Sequence, residues 1–126
     1  MIDNMHLQHS VLGTFLLPVA QALRLAGVDP LQLLEDVGID AASMANPDWR
    51  VPQEQFNLLM RRCVEESGDE AFGLLAAQQI RPQVLHGLGL AWLASDTVYD
   101  GLRRLVRFGQ LVSTASDISL RDEGEL

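Results

Sequence analysis

The residues whose types and spacing come closest to a binding site are His86 and Trp92. Both lie in the segment 84–94, where nearly every other side chain is apolar. A histidine in such a segment is either a hydrogen-bonded core group or the polar contact that gives an apolar small-molecule pocket its specificity. Trp92, farther along the same predicted helix, could supply the apolar part of that pocket. His86 and Trp92 are therefore the candidates for residues that bind a small molecule.

Three other patterns suggest chemistry, but each has a simpler structural interpretation. His6 and His9 are spaced like two metal ligands on one helical face, yet they lie in a terminal segment without a third ligand. The pair Gly87 and Gly89 resembles the opening of a dinucleotide fingerprint, but no strand precedes it and Trp92 stands at the third glycine. The sequence therefore predicts no metal and no cofactor.

A nucleophilic site is also disfavoured. Ser95 and Asp96 lie near His86, but they lack the flanking glycines of a nucleophile elbow, and capping of the next helix explains the pair. Cys63 falls on the apolar face of a predicted helix without a nearby histidine or lysine, which is typical of a small buried hydrophobe. We therefore predict that the chain is not an enzyme.

Charge limits the possible partners. All nine basic residues are arginine, and seventeen acidic residues bring the formal net charge to −8, which opposes binding to DNA, RNA or anionic lipid. Arg103, Arg104 and Arg107 form a positive cluster, but Asp96 and Asp100 share their predicted helix, which favours a solvated face or a domain interface over phosphate binding. We predict no DNA-binding residues in this chain, and no apolar run approaches the length of a membrane span.

Capping residues and glycines divide the chain into the elements that must position these groups. Thr14 is predicted to cap a helix ending near Ala26, and Gly27 to stop it. Asp29 and Asp40 are predicted caps of the next two short helices. Further predicted elements are a helix from Pro52 to Ser67, a helix capped by Asp69, a buried helix over 84–94, and a last helix capped by Ser95 or Asp96. Gly87 and Gly89 indicate that a neighbouring backbone approaches the helix closely. In the loop before Pro52, we expect Trp49 and Arg50 to form a packed anchor.

The fold class predicted from this pattern is mainly α. We expect a bundle of about six to seven short helices, followed by the first strand of a truncated α+β domain, since Ile118 and Leu120 alternate with polar residues. Residues 1–13 are predicted to form a flexible tail and 14–126 the domain. Because a lone strand needs a neighbour, the sequence is expected to be the front part of a longer protein.

An ordered set of segments resembles the N-terminal effector domain, often called arabinose-binding, of AraC/XylS-type transcription regulators. The resemblance covers roughly residues 12–122. The segments that carry it are GVDPLQLLEDVGID, NPDWRVP, QFNLLMRRCVEESGDEAFGLLAAQQIRP and LGLAWLASDTVYDGLRRLVRFGQLVS.

The resemblance implies a cytoplasmic regulator in which this domain senses a small metabolite and contributes to a homodimer. Promoter DNA would be bound by a C-terminal helix-turn-helix domain, which this chain lacks. The alternative is a helical dimerisation or protein-interaction module without a ligand.

Overall fold

The computed structural model describes residues 9–85, 87–121 and 123, and it is mainly α, as predicted. Six α-helices lie in this part of the chain: α1 Leu16–Leu25, α2 Pro30–Asp36, α3 Gln53–Ser67, α4 Phe72–Gln78, α5 Gly87–Leu93 and α6 Val98–Phe108. Two short strands accompany them, β1 Ser10–Leu12 and β2 Arg50–Pro52. Short 3-10 helices cover Gly13–Phe15, Ala41–Ala45, Pro82–Leu85 and Gly109–Leu111.

Two aspartate caps are found where the sequence predicts them. The Asp29 carboxylate accepts a hydrogen bond of 3.0 Å from the Leu31 amide, and Pro30 occupies the first turn of α2. Asp40 accepts an equivalent bond of 3.0 Å from Ala42, although the segment that it caps is a 3-10 helix. These caps fix the starts of two helices that are too short to be stable by themselves.

The predicted stop at Gly27 is also confirmed, and two further glycines end helices in the same way. Gly27 and Gly38 adopt φ of +79°, and Gly68 adopts φ of +68° after α3. Side chains other than glycine are strained in this left-handed region, so the three glycines end helices at defined residues.

Three predicted caps are wrong. Asp69 does not cap α4: the residue at the N-cap is Ala71, which has no side-chain cap, and the Asp69 carboxylate accepts from the Ala71 amide at 2.8 Å in the turn before the helix. Thr14 caps no helix: its hydroxyl donates a 2.7 Å hydrogen bond to the carbonyl of Val84, seventy residues along the chain. At the start of α6, Thr97 rather than Ser95 or Asp96 accepts from the Asp100 amide, at 3.1 Å. Thr14, Ser95, Asp96 and Thr97 all have side chains that can cap a helix. Contacts with other parts of the fold decide which of them does so.

The strands lie elsewhere than predicted. β1 pairs with β2 in an antiparallel arrangement with Val11 opposite Val51, and these two valines are 5% and 0% exposed. Residues 10–13 therefore belong to the packed fold, whereas the tail was predicted to extend to residue 13. A three-residue strand is too short to show a period of two, and its partner lies forty residues away. No local pattern in the sequence therefore predicts the pairing.

The predicted strand around Ile118 and Leu120 does not form. No strand is present within residues 115–121, and these two side chains are 38% and 40% exposed. The chain pairs with β1 earlier: Leu12 donates to the Val112 carbonyl at 2.9 Å and Thr114 donates to Ser10 at 3.0 Å. An alternating pattern becomes a strand only where an edge is available, and β1 offers its edge to 112–114.

The main core lies between α1, α2, α3, α4 and the two strands. Phe72, Leu16, Leu23 and Leu59 are its largest fully buried aromatic and aliphatic side chains. Helix α1 contributes most, because six of its ten residues are buried. This core is complete without the last two helices.

A second, smaller cluster joins α5 and α6 to β1. Its buried residues are Leu12, Leu88 and Val112, with Leu105 packed against them. The prediction that 84–94 is the most buried helix is therefore wrong: Leu90 is 67% exposed and Leu93 63% exposed. An apolar sequence shows what could be buried, but α5 is covered mainly by α6 and the 82–85 segment.

Trp49 and Arg50 form the packed anchor that the sequence predicts. The Arg50 guanidinium group donates to the Ser10 hydroxyl at 2.7 Å and to the Leu111 carbonyl at 2.7 Å. Longer bonds reach the carbonyls of Ser10 at 3.2 Å and Val112 at 3.4 Å. One side chain thus joins β2 to β1 and to the segment after α6.

Replacing Arg50 by methionine is expected to lower the free energy of unfolding by about 2 kcal/mol, because several charge-assisted hydrogen bonds are lost from a half-buried position. Urea unfolding followed by circular dichroism measures the change. Arg61→Met on the exposed side of α3 is the matched control, with an expected change within about 0.5 kcal/mol. Equal stability of the two variants would contradict the anchoring role.

Candidate functional site

An apolar groove lies where α5 and α6 meet the 3-10 helix Pro82–Leu85. It has a volume of about 320 Å³. Its lining residues are Ile80, Arg81, Pro82, Gly89, Trp92 and Leu105. The size is at the lower end of the range for small-molecule sites, and a mostly apolar lining with one charged group is typical of them.

Gly89 makes the groove possible. A Cβ atom at this position would lie 2.7 Å from the carbonyl carbon of Pro82 and closer still to its oxygen. Only glycine allows α5 to approach the 82–85 segment so closely, which confirms the close backbone approach predicted for this residue.

Trp92 forms one wall and is held by α6. Its indole lies over Gly101, where a Cβ atom would be 3.0 Å from Cε3 of the ring. The side chain remains 38% exposed, so part of the ring faces the groove. Of the two predicted effector-binding residues, Trp92 therefore lines the candidate site, whereas His86 lies outside the described residues.

Arg104 fixes the end of α5 against α6. Its Nη1 donates to the Ala91 carbonyl at 2.7 Å and to the Ser95 hydroxyl at 2.8 Å. Ser95 in turn donates to the Ala91 carbonyl at 2.7 Å. A positive charge at a helix C-terminus is favourable, and these bonds give Ser95 a structural role instead of a nucleophilic one.

Arg81 supplies the one charged side chain of the groove. Its Nη1 donates long hydrogen bonds to the carbonyls of Gln78, at 3.3 Å, and Ile80, at 3.2 Å. Among the residues described, no carboxylate lies within 4 Å of its guanidinium group. The geometry can therefore hold a small apolar ligand beside a positive charge.

The remaining arginines of α6 lie on its exposed face, as the solvated-face interpretation predicts. The Arg103 guanidinium lies 5.9 Å from the centre of the Tyr99 ring, and that of Arg107 lies 5.2 Å from the Phe108 ring. Such contacts between a cation and an aromatic ring are weak at exposed positions. Both arginines also line a shallow surface depression of about 390 Å³ together with Asp100.

Cys63 is fully buried in the main core, as predicted. Burial raises the pKa of its thiol to about 12, so the side chain stays protonated and is a poor nucleophile at neutral pH.

The described residues contain no group of three histidine, cysteine, aspartate or glutamate side chains that could hold a metal ion. His9 is exposed, and His6 lies outside that part of the chain. No described helix is both long and apolar enough to cross a membrane.

Two lining residues, Arg81 and Pro82, were missed by sequence reasoning, because together they have the pattern of a helix terminator. Ile80, just before them, is 38% exposed at the groove. The available signal was Gly89: a glycine within an apolar helix predicts a close neighbour, but it does not say which segment that neighbour is.

The sequence model of one protein family matches this chain. It is described as the arabinose-binding domain of AraC transcription regulator, N-terminal, and it covers residues 27–126. No curated protein matches the chain. Because the matched region spans most of the sequence and includes every residue of the groove, the chain belongs to the family of N-terminal arabinose-binding domains of AraC transcription regulators.

Proposed function

We propose that this domain is the effector-sensing part of a cytoplasmic transcription regulator and binds a small metabolite in the groove beside Trp92. The groove is the observation that carries the proposal, because it combines an apolar lining with one charged group in a family of regulatory domains. Promoter DNA is contacted by an attached C-terminal domain. The sensing domain itself has no catalytic role.

Ligand binding is proposed to act through α6. The groove is lined by Trp92 of α5 and Leu105 of α6, so a ligand contacts both helices. The segment that follows α6 is held by Arg50 through the carbonyls of Leu111 and Val112. A ligand with different affinities for two positions of α6 shifts their populations and thereby the position of that segment.

The description of the family names arabinose, but the groove favours a different effector. A pentose presents several hydroxyl groups, each of which needs a hydrogen-bonding partner when it is buried. The lining of this groove contains one polar side chain, that of Arg81.

The test of sensing is thermal unfolding of the whole chain with a panel of sugars, organic acids, amines and amino acids. A ligand at a hundred times its Kd raises the free energy of unfolding by about 2.7 kcal/mol, which increases Tm. Trp92→Ala is expected to abolish this increase. Leu93→Ala is the control, because Leu93 is 63% exposed and does not line the groove. A response that survives in Trp92→Ala would place the ligand elsewhere.

A dimerisation module without a ligand is the second candidate. It is favoured by exposed apolar side chains on the last two helices, among them Leu90, Leu93, Val98 and Tyr99, each of which is more than half exposed. If no compound of the panel raises Tm and sedimentation equilibrium shows concentration-dependent dimers, this function is supported instead of sensing.

A further inference from the structure

We infer that the groove binds a compact organic anion, a carboxylate carried on an apolar body, and that Arg81 is the residue that selects the carboxylate. This inference rests on the proposed sensing function and names the chemical class of the effector. Trp92 and Leu105 contact the apolar body, and the guanidinium group of Arg81 pairs with the carboxylate at the edge of the groove.

The first observation is the contrast within the lining. Five of the six lining residues offer apolar surface, and the sixth is an arginine. A guanidinium group has five N–H donors, and the long bonds from Arg81 to Gln78 and Ile80 both use Nη1. The other donors have no hydrogen-bond partner among the described residues, and the two oxygens of a planar carboxylate match a guanidinium group in a paired arrangement.

The second observation is the distribution of charge. Residues 81–109, which contain α5, α6 and most of the groove, hold four arginines and two aspartates and so have a formal charge of +2 in a chain of −8. An acidic protein repels anions overall, but a local positive region attracts them to one place. The three arginines of α6 supply this field, and Arg81 supplies the direct contact.

The third observation is the size of the groove. A volume of about 320 Å³ has room for roughly ten groups of the size of a water molecule or a methylene, at ~30 Å³ each. Aryl-alkyl and medium-chain carboxylates have this size. Long acyl chains and nucleotides exceed it.

The experiment compares matched ligands that differ only in charge. Hydrocinnamate with hydrocinnamamide, and octanoate with octanamide, are titrated into the whole chain by isothermal titration calorimetry at constant ionic strength. At least one carboxylate is expected to bind about tenfold more tightly than its amide, because a charge-assisted pair replaces a neutral hydrogen bond at a partly exposed site.

Arg81→Gln is expected to bring the members of that pair within about twofold of each other, while the amide binds as it does to the unmodified chain. Arg61→Gln, an exposed arginine on α3, is the charge-matched control and is expected to keep the preference. Circular dichroism checks that both variants fold.

Equal affinities within each pair, or a preference that persists in Arg81→Gln, would overturn the inference. If neither pair binds but the metabolite panel yields a ligand that depends on Trp92, the ligand class is wrong and the sensing function stands. If neither pair binds and the panel is flat, both proposals fail.

Discussion

Phe72→Ala is expected to lower the free energy of unfolding by about 3–5 kcal/mol, a large part of the roughly 5–15 kcal/mol by which a typical domain is stable. Phe72 is fully buried at the start of α4, which packs against α1 and α3. Removing its ring loses the transfer free energy and leaves a cavity that these helices close only in part. Urea unfolding monitored by circular dichroism measures the loss.

The matched control is Leu74→Ala on the same helix. Leu74 is 70% exposed, so its replacement is expected to change the free energy of unfolding by no more than about 0.5 kcal/mol. Similar losses for the two variants would mean that α4 packs on the core through a different face.

Gly89→Ala is expected to destabilise the protein by about 3 kcal/mol or more, since the added methyl group would overlap the backbone of Pro82. Backbone atoms cannot rotate away as a side chain can, so α5 must separate from the 82–85 segment. Thermal unfolding measures the effect, and amide hydrogen exchange is expected to increase most in α5, relative to the unsubstituted protein.

Gly73→Ala distinguishes this clash from the general cost of changing a glycine. Gly73 lies within α4, and a Cβ atom added there would meet no other atom within 4 Å, so alanine is expected to stabilise the helix by about 0.5–1 kcal/mol. An unchanged Tm for Gly89→Ala would show that α5 and the 82–85 segment do not approach each other so closely.

Elements with a local cause could be predicted from the sequence. Asp29, Asp40 and the glycines after α1 and α3 act within a few residues of their own position, so their types alone indicate where helices begin and end. The pairing of β1 with β2 could not be predicted, because three residues show no periodicity and the partner is distant.

The candidate site, like the fold, could be predicted only in part from the sequence. Trp92 and the close approach at Gly89 follow from residue type and context, and both were found at the groove. The place of Arg81 at the groove was missed because it depends on which segments meet in space. The burial of α5 was overestimated for the same reason: the pattern shows that a helix is apolar but does not identify what covers it.

The bonds around Arg50 also bear on how quickly this chain folds and unfolds. β1 and the segment after α6 meet through contacts such as that of the Ser10 amide with the Thr114 hydroxyl, a sequence separation of 104 residues. Closing so long a loop is slow and entropically costly, so these contacts are expected to form after the rate-limiting barrier has been crossed. Weakening them would then speed unfolding and leave the folding rate almost unchanged, which makes the junction a determinant of the lifetime of the folded domain.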